Sequence, residues 1–107
     1  MPIYKKLVRD RIPEVIIRNG KKCSTRILDN EEFIEELKKK SFEEMEEYVK
    51  AQTDEEAIEE LADILEILHA LADVHGSTIR EVDEIRKSKA EKRGGFWDKV
   101  FLIEVED

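Results

Sequence analysis

Cysteine, proline and glycine are scarce in this chain. Cys23 is the only cysteine, so no intrachain disulfide can form and a reducing, cytoplasmic setting is expected. Pro2 and Pro13 both lie near the start, and Gly20, Gly76, Gly94 and Gly95 are the only glycines. Nothing from residue 21 to residue 75 therefore breaks a helix by composition. Long apolar runs are missing too. The longest uncharged stretch in the middle of the chain, residues 67–72, is far too short to span a bilayer. The opening MPIYKKLVRD has no apolar core of the kind a secretory signal needs. Positive charge is in deficit: the net charge is −8, which disfavours a nucleic-acid polymer as partner, because phosphate contacts dominate that affinity. No cluster of Cys and His suggests zinc.

What is present is a chain of 107 residues, 43% charged and 40% apolar, the profile of one folded domain over 1–107. Pro13 fits the first turn of a short helix that ends at Gly20. Asp29 with Glu32, Thr53 with Glu56 and Thr78 with Glu81 are three helix-start signatures. They predict long helices from about 30, 54 and 79, the second running to about His75 and the third to about Arg93. Residues 3–9 read as a short strand or an extended arm, and 22–28 as a short strand. The β-prone tail KVFLIEV could pair with one of them. The predicted fold is mainly α, an antiparallel helical bundle with short terminal extended segments.

The middle helix carries two apolar stripes. Ile58, Leu61, Leu65, Leu68 and Ala72 form one, and Ile64, Ile67, Leu71 and Val74 the other. A helix apolar over half its circumference needs cover on two sides. One chain of this size does that poorly, so a homodimer or homotetramer completing the bundle is expected.

Two acidic segments are the candidates for chemistry: Glu43-Glu44-Met45-Glu46-Glu47 and Glu59-Glu60-Leu61-Ala62-Asp63. Residues three apart share a helix face, so Glu44 pairs with Glu47 and Glu60 with Asp63. Measured from Leu37, Glu44 lies about 20° off the apolar stripe, Glu47 about 80° off, and Glu46 on the opposite side. Glu60 projects among Ile64, Ile67 and Leu71, where an ionised carboxylate is costly without a partner. Asp63 sits at the border of that patch. A hard cation such as Mg²⁺, which prefers oxygen ligands, would supply the partner. The plainer reading, a solvated acidic face, fits Glu43, Glu46, Glu59 and Asp73 best, and Glu66 stands between the two.

At these residues the chain resembles the MazG-type all-α NTP pyrophosphohydrolase superfamily, whose motif is EExxE followed by ExxD. EEMEE at 43–47 and EELAD at 59–63 match it. YKKLVRDRIPEVI near the start and KAEKRGGF at 89–96 are similar to a phosphoribosyl-ATP pyrophosphohydrolase-like branch. The resemblance implies Mg²⁺ held by Glu44, Glu47, Glu60 and Asp63, with Glu44 and Glu47 in catalytic roles and Glu47 as the proton acceptor. It implies a nucleoside triphosphate or related nucleotide as substrate, cleaved to the monophosphate and pyrophosphate. Lys89 and Arg93, one turn apart, are the phosphate-binding candidates, followed by Arg9 and Lys5. One departure lies in the last helix, where many members carry Asn and this chain reads RKSKAEKR. The competing expectation is a non-catalytic acidic helical module that binds a protein partner. Base and sugar specificity are not legible.

Overall fold

A computed structural model describes residues 2–107. It holds four helices: α1 (Ile12–Arg18), α2 (Asn30–Lys50), α3 (Asp54–Val74) and α4 (Ile79–Arg93). The three long helices start where their capping residues stand. The side chains of Asp29, Thr53 and Thr78 accept from the backbone N–H of Glu32, Glu56 and Glu81 at 2.9, 3.1 and 3.2 Å. The acids of these signatures also take partners of their own. Glu32 takes the fork of Arg26 at 2.6 and 3.1 Å, Glu56 accepts from the Gln52 N–H at 2.9 Å, and Glu81 accepts from the Ser77 hydroxyl at 2.6 Å. An N-cap hydroxyl contributes about 1 kcal/mol. Thr53→Ala is therefore expected to lower stability by about that amount, read as a shift in the urea midpoint at unchanged slope.

Two helix ends close with the same device. At the end of α1, Gly20 donates to the Ile17 carbonyl at 2.9 Å and Lys21 to that of Ile16 at 3.2 Å. At the end of α3, Gly76 donates to Asp73 and Ser77 to Ala72, both at 2.9 Å. This Schellman arrangement needs a left-handed residue, and Gly20 and Gly76 have φ of 79° and 71°. The turn between α2 and α3 is different. Only Ala51, Gln52 and Thr53 separate the helices, so α2 and α3 fold back as an αα-hairpin without Gly or Pro. This hairpin is the main packing unit, and α4 packs on α3 alone.

No strand forms among the described residues, which corrects the expectation of paired terminal strands. Residues 2–9 form an arm without helix or strand, and 21–29 an irregular connection. In the tail, Val100, Phe101, Leu102 and Ile103 stand exposed. An isolated two-stranded pairing is marginal without a further strand or helix covering its face, and these segments have no such cover.

The core is small. Leu37, Ile67 and Ala72 are the buried apolar residues, and none of the described side chains is fully enclosed. Of the two α3 stripes, Ile64, Ile67, Leu71 and Val74 are buried or half-buried within the chain, whereas Ile58, Leu61, Leu65 and Leu68 remain open and only Ala72, at the end of their stripe, is buried. The radius of gyration is 18.4 Å, against about 13 Å for a compact domain of this length.

Candidate metal centre

The hairpin brings the two acidic segments together. Glu44 comes from the middle of α2, and Glu60 and Asp63 come from successive positions of one face of α3. Each offers a carboxylate oxygen, and the three oxygens lie within 4.8 Å of one another. All three residues are half-buried. Three acids this close repel, and little water reaches Glu44, whose side chain is only 15% exposed. Its carboxyl rises from 4.5 to about 7. Burial is the main cause, followed by a hydrogen bond with Glu60 and the negative charges of Asp63 and Glu60, while Lys40 opposes the rise.

Two cations touch the cluster. The Lys40 ammonium, one turn before Glu44, is 4.0 Å from its Oε1. The Arg9 guanidinium, from the N-terminal arm, donates to Asp63 Oδ1 at 2.7 Å. Neither satisfies Glu60, whose Oε2 is buried with no hydrogen-bond partner among the described residues. A buried acceptor left unpaired costs free energy, more so when it carries charge. The donor set is all oxygen, half-enclosed and deficient in positive charge, which fits a hard divalent cation.

The remaining candidates from the sequence sit elsewhere. Glu47 is exposed and outside the three-carboxylate group. It lines a shallow cleft near the hairpin turn together with Lys50, Glu56, Glu59 and Glu60. Lys89 and Arg93 are exposed on the last turns of α4 and make no ion pair among the described residues. Lys5 is exposed on the arm with a left-handed φ of 45°. Glu66 and His69 form a Glu-x-x-His pair on α3, but both are exposed and lie outside the cluster. Two cations near the acids were not singled out in the sequence. Lys40 is four residues before Glu44, a spacing that is legible in principle. Lys6, 4.0 Å from Glu43, depends on how the arm lies across the hairpin and has no local signal.

The raised Glu44 carboxyl has a consequence for pH. A carboxyl with a folded pKa above its unfolded one stabilises the fold fully below 4.5, and that contribution is lost as pH rises through about 7. Metal-free protein in chelator is therefore expected to lose urea resistance between pH 5 and pH 8, and Glu44→Gln is expected to flatten that part of the profile. Divalent-cation affinity should move the opposite way, strengthening as pH rises through 7, because a ligand carboxylate must first lose its proton. Calorimetric titration at pH 6 and pH 8 measures it.

Searches of the curated proteins and of the solved structures found no match. A family model described as the MazG-like family matches residues 27–96, which take in all of α2, α3 and α4. That span is well over half of the chain and includes every acid of the cluster, and with this match the chain belongs to the MazG-like family.

Proposed function

We propose that the chain is a Mg²⁺-dependent nucleoside triphosphate pyrophosphohydrolase that releases the monophosphate and pyrophosphate. The observation that carries this reading is the half-buried triad Glu44, Glu60 and Asp63, with one Glu60 oxygen lacking any partner. Family membership supports a nucleotide pyrophosphohydrolase type of activity. Glu44, Glu60 and Asp63 would hold the cation, with Glu47 completing the set from the adjoining cleft. A bound divalent cation supplies charge neutralisation at the phosphates and acidifies a water.

The chain's own residues do the rest. Glu44 and Asp63, on different helices, fix the side of the hairpin on which the triphosphate lies. Glu47, exposed at the cleft, accepts the proton of the attacking water. The water oxygen bonds to the α-phosphorus, and the bond to the bridging α–β oxygen breaks, so that oxygen leaves with pyrophosphate. Lys89 and Arg93, exposed on α4, would contact the phosphates, Arg93 through its planar fork.

The active unit is a homodimer or homotetramer. The chain exposes 10442 Å², whereas a compact monomer of this mass exposes about 6,200 Å². Many large apolar side chains are exposed, and Ile58, Leu61, Leu65 and Leu68 form a continuous row on α3. A second copy presenting the same row would close the two hairpins into a four-helix bundle.

Pyrophosphate release over a panel of nucleoside triphosphates, with Mg²⁺ titrated from zero, tests the activity. Metal-dependent turnover on at least one nucleotide is expected. No turnover, with no thermal stabilisation by Mg²⁺, would return the chain to a non-catalytic acidic module that binds a protein partner.

A further inference from the structure

We infer that the N-terminal arm is a working part of the metal centre: Arg9 occupies Asp63 while no cation is present, and moves to the phosphates when a metal-bound nucleotide arrives. The inference rests on the metal-centre reading above but concerns residues outside the span that the family model matches.

The arm is tied to the hairpin by two ion pairs, one to each acid-bearing helix. Lys6 reaches Glu43 of α2 at 4.0 Å, and Arg9 reaches Asp63 of α3 at 2.7 Å. The arm thus contacts both helices that carry the cluster of Glu44, Glu60 and Asp63. The backbone at Arg9 is held as well, because its carbonyl accepts from the Ile12 N–H at 3.1 Å, at the turn that opens α1. That turn anchors the backbone at Arg9, and the side chain beyond it is more than half exposed.

Charge sets the direction of the swing. Without a cation, the acids attract the nearest guanidinium, and Arg9 supplies it at Asp63. The pair is well exposed, with side-chain exposures of 56% and 40%, so it is weak and screened. A divalent cation binding the same carboxylates displaces it, because two like charges cannot share one ligand cheaply. The freed guanidinium then lies beside a site that receives a polyphosphate. Its planar fork suits phosphate oxygens better than a single carboxylate oxygen. Arg9 thereby opposes empty metal loading and favours loading together with an anionic ligand. It is a positioning residue for the cation and a binding residue for the phosphates.

The test is calorimetric titration of the full chain at pH 8, first with Mg²⁺ alone and then with Mg²⁺ and pyrophosphate, for wild type, Arg9→Gln, Arg9→Lys and Lys6→Gln. Arg9→Gln is expected to bind Mg²⁺ alone about two- to fivefold more tightly, the yield of removing one exposed competing cation. The same variant should bind pyrophosphate with Mg²⁺ about tenfold more weakly, with Arg9→Lys intermediate because it keeps the charge and loses the fork. Lys6→Gln, whose partner Glu43 is outside the triad, should change Mg²⁺ affinity less than Arg9→Gln. A merely structural role for Arg9 would not raise metal affinity. Mg²⁺ binding by Arg9→Gln equal to or weaker than wild type overturns the inference and leaves the metal centre standing. Unchanged pyrophosphate affinity overturns the phosphate half. Failure of wild type to bind Mg²⁺ at all removes the metal centre, and the arm's role with it.

Discussion

Glu60→Gln is expected to abolish Mg²⁺-dependent pyrophosphate release while leaving the helices intact. Glu60 is the one member of the triad with a buried oxygen that no protein group satisfies. The amide keeps the shape and one acceptor oxygen but removes the charge that would hold a cation. Metal centres of this kind supply several kcal/mol of transition-state stabilisation, so kcat/KM should fall at least about a hundredfold. Stability should respond in the opposite sense without metal, because one of three mutually repelling carboxylates has gone. Wild type at a hundredfold excess of Mg²⁺ over its dissociation constant should gain about 2.7 kcal/mol of stability, and the variant almost none. The two readouts together separate loss of the site from loss of the fold. Near-normal turnover in Glu60→Gln would remove Glu60 from the centre.

Leu65→Glu is expected to dissociate the oligomer. Leu65 sits in the middle of the open row on α3, with Leu61 and Leu68 one turn to either side. In a two-fold assembly each substitution is met twice, so two carboxylates would face each other in an apolar seam. Burying an unpaired charge there costs several kcal/mol. Sedimentation velocity should show wild type as a dimer or larger and the variant as monomer. The variant's melting temperature should also fall, since its core reduces to a few residues around Leu37, Ile67 and Ala72. A monomeric wild type, or an unaltered assembly in the variant, would sink the bundle-completion reading.

The triad bears on why such an acidic face is kept. A solvated carboxylate asks nothing of its neighbours. Glu44 is different, because burial and two neighbouring acids push its carboxyl up to about 7. A group poised near neutral pH without a full charge partner is characteristic of functional sites, although structural clusters perturb pKa values as well. The unpartnered Glu60 oxygen is an independent geometric feature of the same cluster.

Much of this was legible locally. Asp29, Thr53 and Thr78 mark the helix starts, and Gly20 and Gly76 mark two ends, because capping is decided by residues three or four positions apart. Glu44, Glu60 and Asp63 could be nominated because helical spacing sets each against an apolar stripe. The terminal strands that β propensity predicts do not form among the described residues. Val100, Phe101 and Ile103 have the residue types of a strand, but pairing is a property of two segments and the neighbours that cover them, not of one.

By itself, then, the sequence determined the helices, their boundaries and the acids worth suspecting, since each depends on chemistry within one or two turns. Tertiary structure alone decided which of the two α3 stripes stayed open, that Glu47 stands apart from the other three acids, and that Arg9 crosses to Asp63, fifty-four residues away. Those outcomes depend on how α2, α3 and the arm approach one another in space, and no spacing within a single helix encodes that distance.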